Sequence, residues 1–307
     1  MSSGVLTEIE HLDPERDHLR ITFLSSCVEF PFDTARALEF ALFRTFCSPS
    51  VSAVLDSTGE FRQRPQKRYD DTDLLLSELL EHGYDSPNGK AAMRRINRLH
   101  GYYAISNVDF LYVLSTFVYE PVRWNARFGW RPLTEKEKLA GFYYWREVGR
   151  RMHIRDLPTD YWSFEAFNAD YERRNFTYSD TNRRTGEATR EMFLSWFLPR
   201  PLRRIGRPFI HAVMDEPLLR AFGFPDPPPG LRGLVAWALR ARGWIAGHAP
   251  PRRRPRLRTE MRHRSYPEGH RVAELGPQAR APDSPFLRHP RRRGDPARPG
   301  LVEETRA

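Results

Sequence analysis

Residues 88–128, NGKAAMRRINRLHGYYAISNVDFLYVLSTFVYEPVRWNARF, decide the fold. Two helices are written in them, Asn88 to about Ala104 and Val108–Phe128. In the first, Met93, Ile96 and Tyr103 lie seven and four residues before and three after His100, which is one helical face, while Arg94, Arg95 and Arg98 fall largely elsewhere. In the second, Phe110, Leu114, Phe117 and Val118 share a face. Toward the N-terminus, DTDLLLSELLEHG reads as a helix starting near Asp70–Asp71 and stopped by Gly83. Asp33–Cys47 reads as another, with Asp33 or Thr34 as its cap. Toward the C-terminus, Thr134 with Glu137 forms a capping box that opens a helix to about Met152. Tyr161–Phe176, Thr181–Phe197 and Pro208–Phe222 follow, and after FPDPPPG comes a short Arg-edged apolar helix, Leu231–Ile245. ITFLSS, residues 21–26, is the one tempting strand. The expected class is therefore all-α, a bundle of about eight or nine helices.

The chain of 307 residues carries a net charge of +10, unevenly. From Ala249 to Ala307 there are fifteen Arg, no Lys and seven acids, a net +8, which leaves +2 for residues 1–248. With ten prolines and little apolar content, 249–307 is expected to be a disordered basic tail behind a helical domain spanning 1–248. The high pI belongs to that tail, so nucleic acid is not an expected partner of the folded part; a peripheral membrane contact through the tail or Leu231–Ile245 stays open. Cys27 and Cys47 are too few for a disulfide framework. The polar N-terminus has no apolar signal region, and no run approaches the ~18 apolar residues of a membrane span. A cytoplasmic protein, at most membrane-peripheral, is expected. The oligomeric state is left open.

His100 is the first candidate for chemistry. On pattern alone, a satisfied core histidine is the commoner use of such a residue; the sharper reading is a metal or haem ligand. His11, His18, His82, His153, His211 and His248 include no pair spaced by three or four residues, whereas zinc or non-haem iron asks for about three protein ligands. Haem brings four nitrogens and asks for one axial residue. The second candidate is Arg68-Tyr69-Asp70-Asp71-Thr72. Arg68 suits a propionate, and Asp71 and Thr72 could orient a bound group, although acids and Thr are also ordinary first-turn residues. The aromatic block Phe110–Tyr119 is core by default and would equally line a pocket for an apolar, isoprenoid-like molecule. GxGxxG, P-loop and GxSxG motifs are absent, which removes support for nucleotide and serine-hydrolase readings.

At these residues a resemblance enters. RPQKRYDDT (Arg64–Thr72), EHGYDSPNGKAAMRRINRLH (Glu81–His100), NVDFLYVLSTFVYEPVRWNARFGWRPLTEKE (Asn107–Glu137) and WREVGRRMHIRDLP (Trp145–Pro158) resemble the oxygenase family of fungal MpaB and the latex-clearing rubber oxygenases, over roughly Phe30 to Phe176. The resemblance implies a globin-like helical core, haem b, and O2 as co-substrate for cleaving alkenes of isoprenoid chains. It carries the axial-ligand role to His100 and the polar roles of an Arg-x-x-Lys-Thr segment to Arg68 and Thr72. Where the rubber oxygenases have lysine, this chain has Asp71, which could act as a base or oxygen-positioning group but cannot copy an ammonium. That departure keeps an alternative in play: a helical lipid- or partner-binding protein retaining the fold without redox chemistry.

Overall fold

The computed structural model describes residues 4–250, 252, 254–277, 281 and 283–288. Among these it is all-α, with fourteen α-helices and no strand. They are α1 (Gly4–His11), α2 (His18–Phe23), α3 (Pro31–Phe46), α4 (Pro49–Ser57), α5 (Glu60–Gln63), α6 (Pro65–His82), α7 (Pro87–His100), α8 (Asn107–Phe128), α9 (Glu135–Arg151), α10 (Tyr161–Asn175), α11 (Asp180–Ser195), α12 (Arg203–Val213), α13 (Glu216–Phe222) and α14 (Leu231–His248).

Most long helices fall near where periodicity places them, but the helix expected over Pro208–Phe222 is broken into α12 and α13 at Met214–Asp215, where Asp215 caps α13, and α3 starts at Pro31 with Phe30 at its N-cap in place of Asp33 or Thr34. Ser86 caps α7 by accepting from the Gly89 N–H at 2.9 Å, and Ser106 caps α8 through Asp109 N–H at 3.0 Å. The Thr134–Glu137 capping box is present in both directions. Gly83 ends α6 at φ 74°, a conformation only glycine adopts without strain. Gly89 follows for a different reason: a Cβ there would lie 2.0 Å from the Gly83 carbonyl oxygen, so glycine permits the tight α6–α7 return.

The count expected from periodicity falls short because short helices carry weak patterns. α4 and α5 lie between the helices expected at Asp33–Cys47 and near Asp70, where no helix was expected, and α6 starts five residues before Asp70. ITFLSS is not a strand: it runs from α2 into a π-helical turn, Leu24–Glu29. Ile21, Leu24 and Val28 pack there with Ile9 and Ala140, so tertiary burial overrides β propensity.

α8 is the central helix, flanked by α3, α9, α10 and α14. One core gathers Leu74, Leu79, Leu114, Tyr119, Tyr144 and Phe164, from α6 through α10; a second joins Phe43 and Phe46 of α3 to Phe193 and Phe222. Burying each such aromatic contributes on the order of 1.5–3 kcal/mol.

The expectation of disorder from Ala249 onward is corrected for 254–277 and 283–288; residues 289–307 lie outside the described set. This segment straps across α6 and α7. Arg258 pairs with Asp73, its N–H donates to Glu81, and Thr259 donates to the same carboxylate. Ser265 N–H donates to Asp70 at 2.9 Å, and His270 lies 2.9 Å from Glu78. Leu275 is fully buried, and Phe286 accepts from Ala104 N–H at 2.7 Å. Low apolar content misled because burial of the strap's own side chains is not the main offset to its ordering entropy. The strap supplies donors to acids on α6 that are themselves buried, and buried carboxylates require partners.

Candidate active site

Helices α3 to α9 line a partly open cavity of about 240 Å³. α6 lines it with Arg68, Thr72, Leu75 and Leu79; α7 with Ile96, Leu99 and His100; α8 with Phe110, Leu114 and Phe117. These residues sit three or four apart along each helix, so each helix turns one continuous stripe inward. Trp145 and Val148 of α9, with Met152 just after it, close the far wall, and the strap adds Gly276 and Pro277 beside Leu99. The lining is overwhelmingly apolar.

His100 ends α7 and borders this cavity. Its Nδ1 is buried and has no hydrogen-bond partner among the described residues. Desolvation, then the charge of Arg68, pushes its pKa down to about 4, so the imidazole is neutral at physiological pH. Phe110 meets the ring edge-on, centroids 5.4 Å apart at 84°, and fixes its plane. Asn97, three residues before it, donates to the Arg151 carbonyl at 2.8 Å and leaves the ring alone.

Arg68 also faces the cavity. Its guanidinium lies over the Phe61 ring at 5.3 Å and donates to Thr72 Oγ1. It makes no ion pair among the described residues, and desolvation lowers its pKa. Arg68 and His100 keep accessible surface because they border the cavity, although protein surrounds both. Thr72 donates back to the Arg68 carbonyl at 3.1 Å, so it holds Arg68 in place. The sequence-predicted residues Arg68, Asp71, Thr72 and His100 thus line one cavity.

Asp71 is placed differently from a free base. Both its oxygens take the Lys67 ammonium at 2.9 Å, and the Tyr266 phenol donates to it. Lys67 also donates to the Tyr266 oxygen at 2.9 Å. An ammonium is therefore supplied one helical turn before Asp71, spent on that carboxylate. Tyr266, from the strap, was missed because its contact spans 195 residues of sequence. Tyr103 and Asp109 border the cavity too and were also missed; Asp109 is engaged by Ser50 at 2.9 Å and by the Tyr171 phenol at 2.5 Å.

No group of three or more His, Cys, Asp or Glu that could hold a metal ion occurs among the described residues. The profile of the ER-bound oxygenase mpaB/B'/Rubber oxygenase catalytic domain matches residues 37–247. The chain belongs to this family. Curated relatives agree. The ER-bound oxygenase mpaB' of Penicillium brevicompactum is 31% identical over 245 residues, covering 73% of this chain and 57% of that protein. The ER-bound oxygenase mpaB of Penicillium roqueforti (strain FM164) is 32% identical over 213 residues, covering 63% and 71%. The match thus spans between about half and seven-tenths of the relatives' lengths. The matched region contains Arg68, Asp71, Thr72 and His100; Tyr266, Gly276 and Pro277 lie beyond it.

Among the described residues, no single helix is long and apolar enough to cross a membrane.

Proposed function

We propose that this chain is a haem b-dependent oxygenase that uses O2 on an alkene of an apolar, isoprenoid-like substrate. The observation that carries this reading is the pair His100 and Arg68. A neutral imidazole whose enclosed Nδ1 lacks a partner borders the same apolar cavity as an enclosed guanidinium with no carboxylate in ion-pair contact. An enclosed guanidinium without an ion pair is costly in a sealed core, and a ligand that brings an acid group to Arg68 and accepts a nitrogen ligand from His100 would suit both residues. The donor set therefore fits haem, and the lack of a three-ligand cluster among the described residues fits it better than a protein-only metal site.

Haem would supply O2 binding and redox chemistry there. The chain's own residues do the rest. His100 would supply the protein's nitrogen to the haem iron, with Phe110 holding the plane of its imidazole. Arg68, held by Thr72, is the counter-charge for a propionate. The aliphatic and aromatic walls favour a hydrocarbon and exclude water. Asp71, tied to Lys67 and Tyr266, orients polar groups at the cavity edge. A cytoplasmic location with peripheral membrane contact suits a substrate of this class.

A second reading, an apolar-lipid binder without redox activity, draws on Asp71. Both its oxygens accept from Lys67 and one also from Tyr266, so it is held as a paired carboxylate at the cavity edge. A visible spectrum of the purified, haem-supplemented protein decides between the two. A Soret band that shifts with dithionite and disappears in His100→Ala supports the oxygenase. Lack of any Soret band, or full haem occupancy in His100→Ala, removes it.

A further inference from the structure

α12 and α14 pack against one another and leave an apolar face uncovered. Thirteen large apolar side chains are exposed among the described residues, and eight of them fall between Phe197 and Ile245. Ile205 and Phe209 share one face of α12, with Leu202 just before it; Leu234, Trp237 and Trp244 share one face of α14. Ile205 is 68% exposed and Trp237 67%, far beyond what packing leaves to a core residue. The opposite sides are firmly seated. A Cβ on Gly243 would lie 2.6 Å from the Phe128 carbonyl oxygen, and Arg242 pairs with buried Asp33 at 2.9 Å. On α12, Gly206 packs against Leu194 and Leu198, and His211 is buried against Arg190. The exposed face is therefore held by a rigid backing.

Its rim is cationic. Phe197–Met214 contains four Arg and no acid, and Leu231–His248 three Arg and no acid. Arg200, Arg203, Arg204 and Arg240 make no ion pair among the described residues. We infer that the α12–α14 face docks on an anionic lipid bilayer. Tryptophan settles at the headgroup level, with its ring in the apolar layer and its N–H in the wet one. Aliphatic side chains enter the acyl boundary, while arginine stems lie along it and present their charge to the headgroups. A second copy fits poorly, because a two-fold pairing would set this arginine rim against itself. A nucleic acid would neutralise the arginines but leave Leu202, Ile205 and Leu234 in water. The inference does not rest on haem; it adds to the proposed function only the phase in which an apolar substrate dissolves.

The test uses the full chain and vesicles of phosphatidylcholine alone or with about one-third phosphatidylserine. The protein is expected to sediment with the anionic vesicles and stay in solution with the neutral ones. Raised salt should release it. Trp237→Ala/Trp244→Ala should weaken partitioning by at least about tenfold with unchanged thermal unfolding, as both indoles are exposed. Quenching of its fluorescence by brominated lipid should fall with the double substitution. Equal partitioning of wild type and the double variant would overturn the inference. So would failure to bind anionic vesicles, a wild-type dimer that Trp237→Ala dissolves, or displacement of bound protein by duplex RNA at unchanged salt.

Discussion

Two enclosed arginines, Arg44 and Arg68, answer the same problem in opposite ways. Arg44 sits at the α3–α8–α10 junction with Glu120 at 2.8 Å, Glu172 at 2.9 Å and Asp215 also bound. Three carboxylates overcome its desolvation and hold it firmly charged, above its ordinary range. Arg68 faces the cavity with a threonine hydroxyl and a phenyl face; desolvation dominates and lowers its pKa. The first arrangement is closed and serves the fold. The second borders a cavity, and its nearest carboxylates, Asp71 and Glu60, act on it from beyond ion-pair distance. Burial of charge by itself does not mark a site; burial without a counter-charge does.

The sharpest way to break this comparison is to remove both charges with methionine. Arg44→Met leaves Glu120, Glu172 and Asp215 without their cation and should cost roughly 3–5 kcal/mol. Thermal unfolding followed by circular dichroism would then fall by about 6–20 °C. Arg68→Met should leave the unliganded fold equally or more stable, yet weaken haem binding by about 10–150-fold in a Soret titration, from a charge-assisted bond of roughly 1.5–3 kcal/mol. Equal destabilisation by the two substitutions would erase the distinction.

A smaller effect should be visible in pH. His100 has a folded pKa near 4 against 6.5 for the free side chain. The unfolded chain therefore binds the extra proton first. Stability is full above about pH 6.5 and falls as pH drops toward 4, by on the order of 2 kcal/mol at pH 5. Urea unfolding of haem-free protein at pH 7 and pH 5 measures this, and His100→Phe should reduce the difference without abolishing it, because burial and Arg190 also hold His211 down to about 4. A wild-type slope retained in that variant would mean that another group sets it.

The smallest change concerns the strap. Tyr266→Phe removes a phenol from Asp71 but leaves Lys67 in place. It should cost about 1 kcal/mol and increase hydrogen exchange of Ser265 and Leu275 amides while α8 stays protected. Unchanged exchange there would mean that the strap is held without this contact.

The long helices were legible because their stripes repeat over several turns, as with Phe110, Leu114 and Phe117. So were their ends, since Gly83 and the Thr134–Glu137 box act within a few residues. α4, α5 and the π-helical turn after α2 were not legible: a helix of one or two turns repeats its pattern too few times. The strap was hidden for another reason. Its order depends on which acids of α6 are buried, and burial is not written beside Ser265, Tyr266 or His270.

The sequence by itself determined the all-α class, the helical face that His100 shares with Ile96, and the likeness of the flanking segments to an oxygenase family. These properties depend on residues within a few turns of one another. Only the tertiary structure decided that Arg68 has no carboxylate in ion-pair contact while Arg44 has three, that Asp71 is tied to Lys67 and Tyr266, and that the α12–α14 face is uncovered. Those outcomes rest on contacts between segments as far as 195 residues apart, where electrostatic energy depends on distance and dielectric in space, which sequence spacing does not encode.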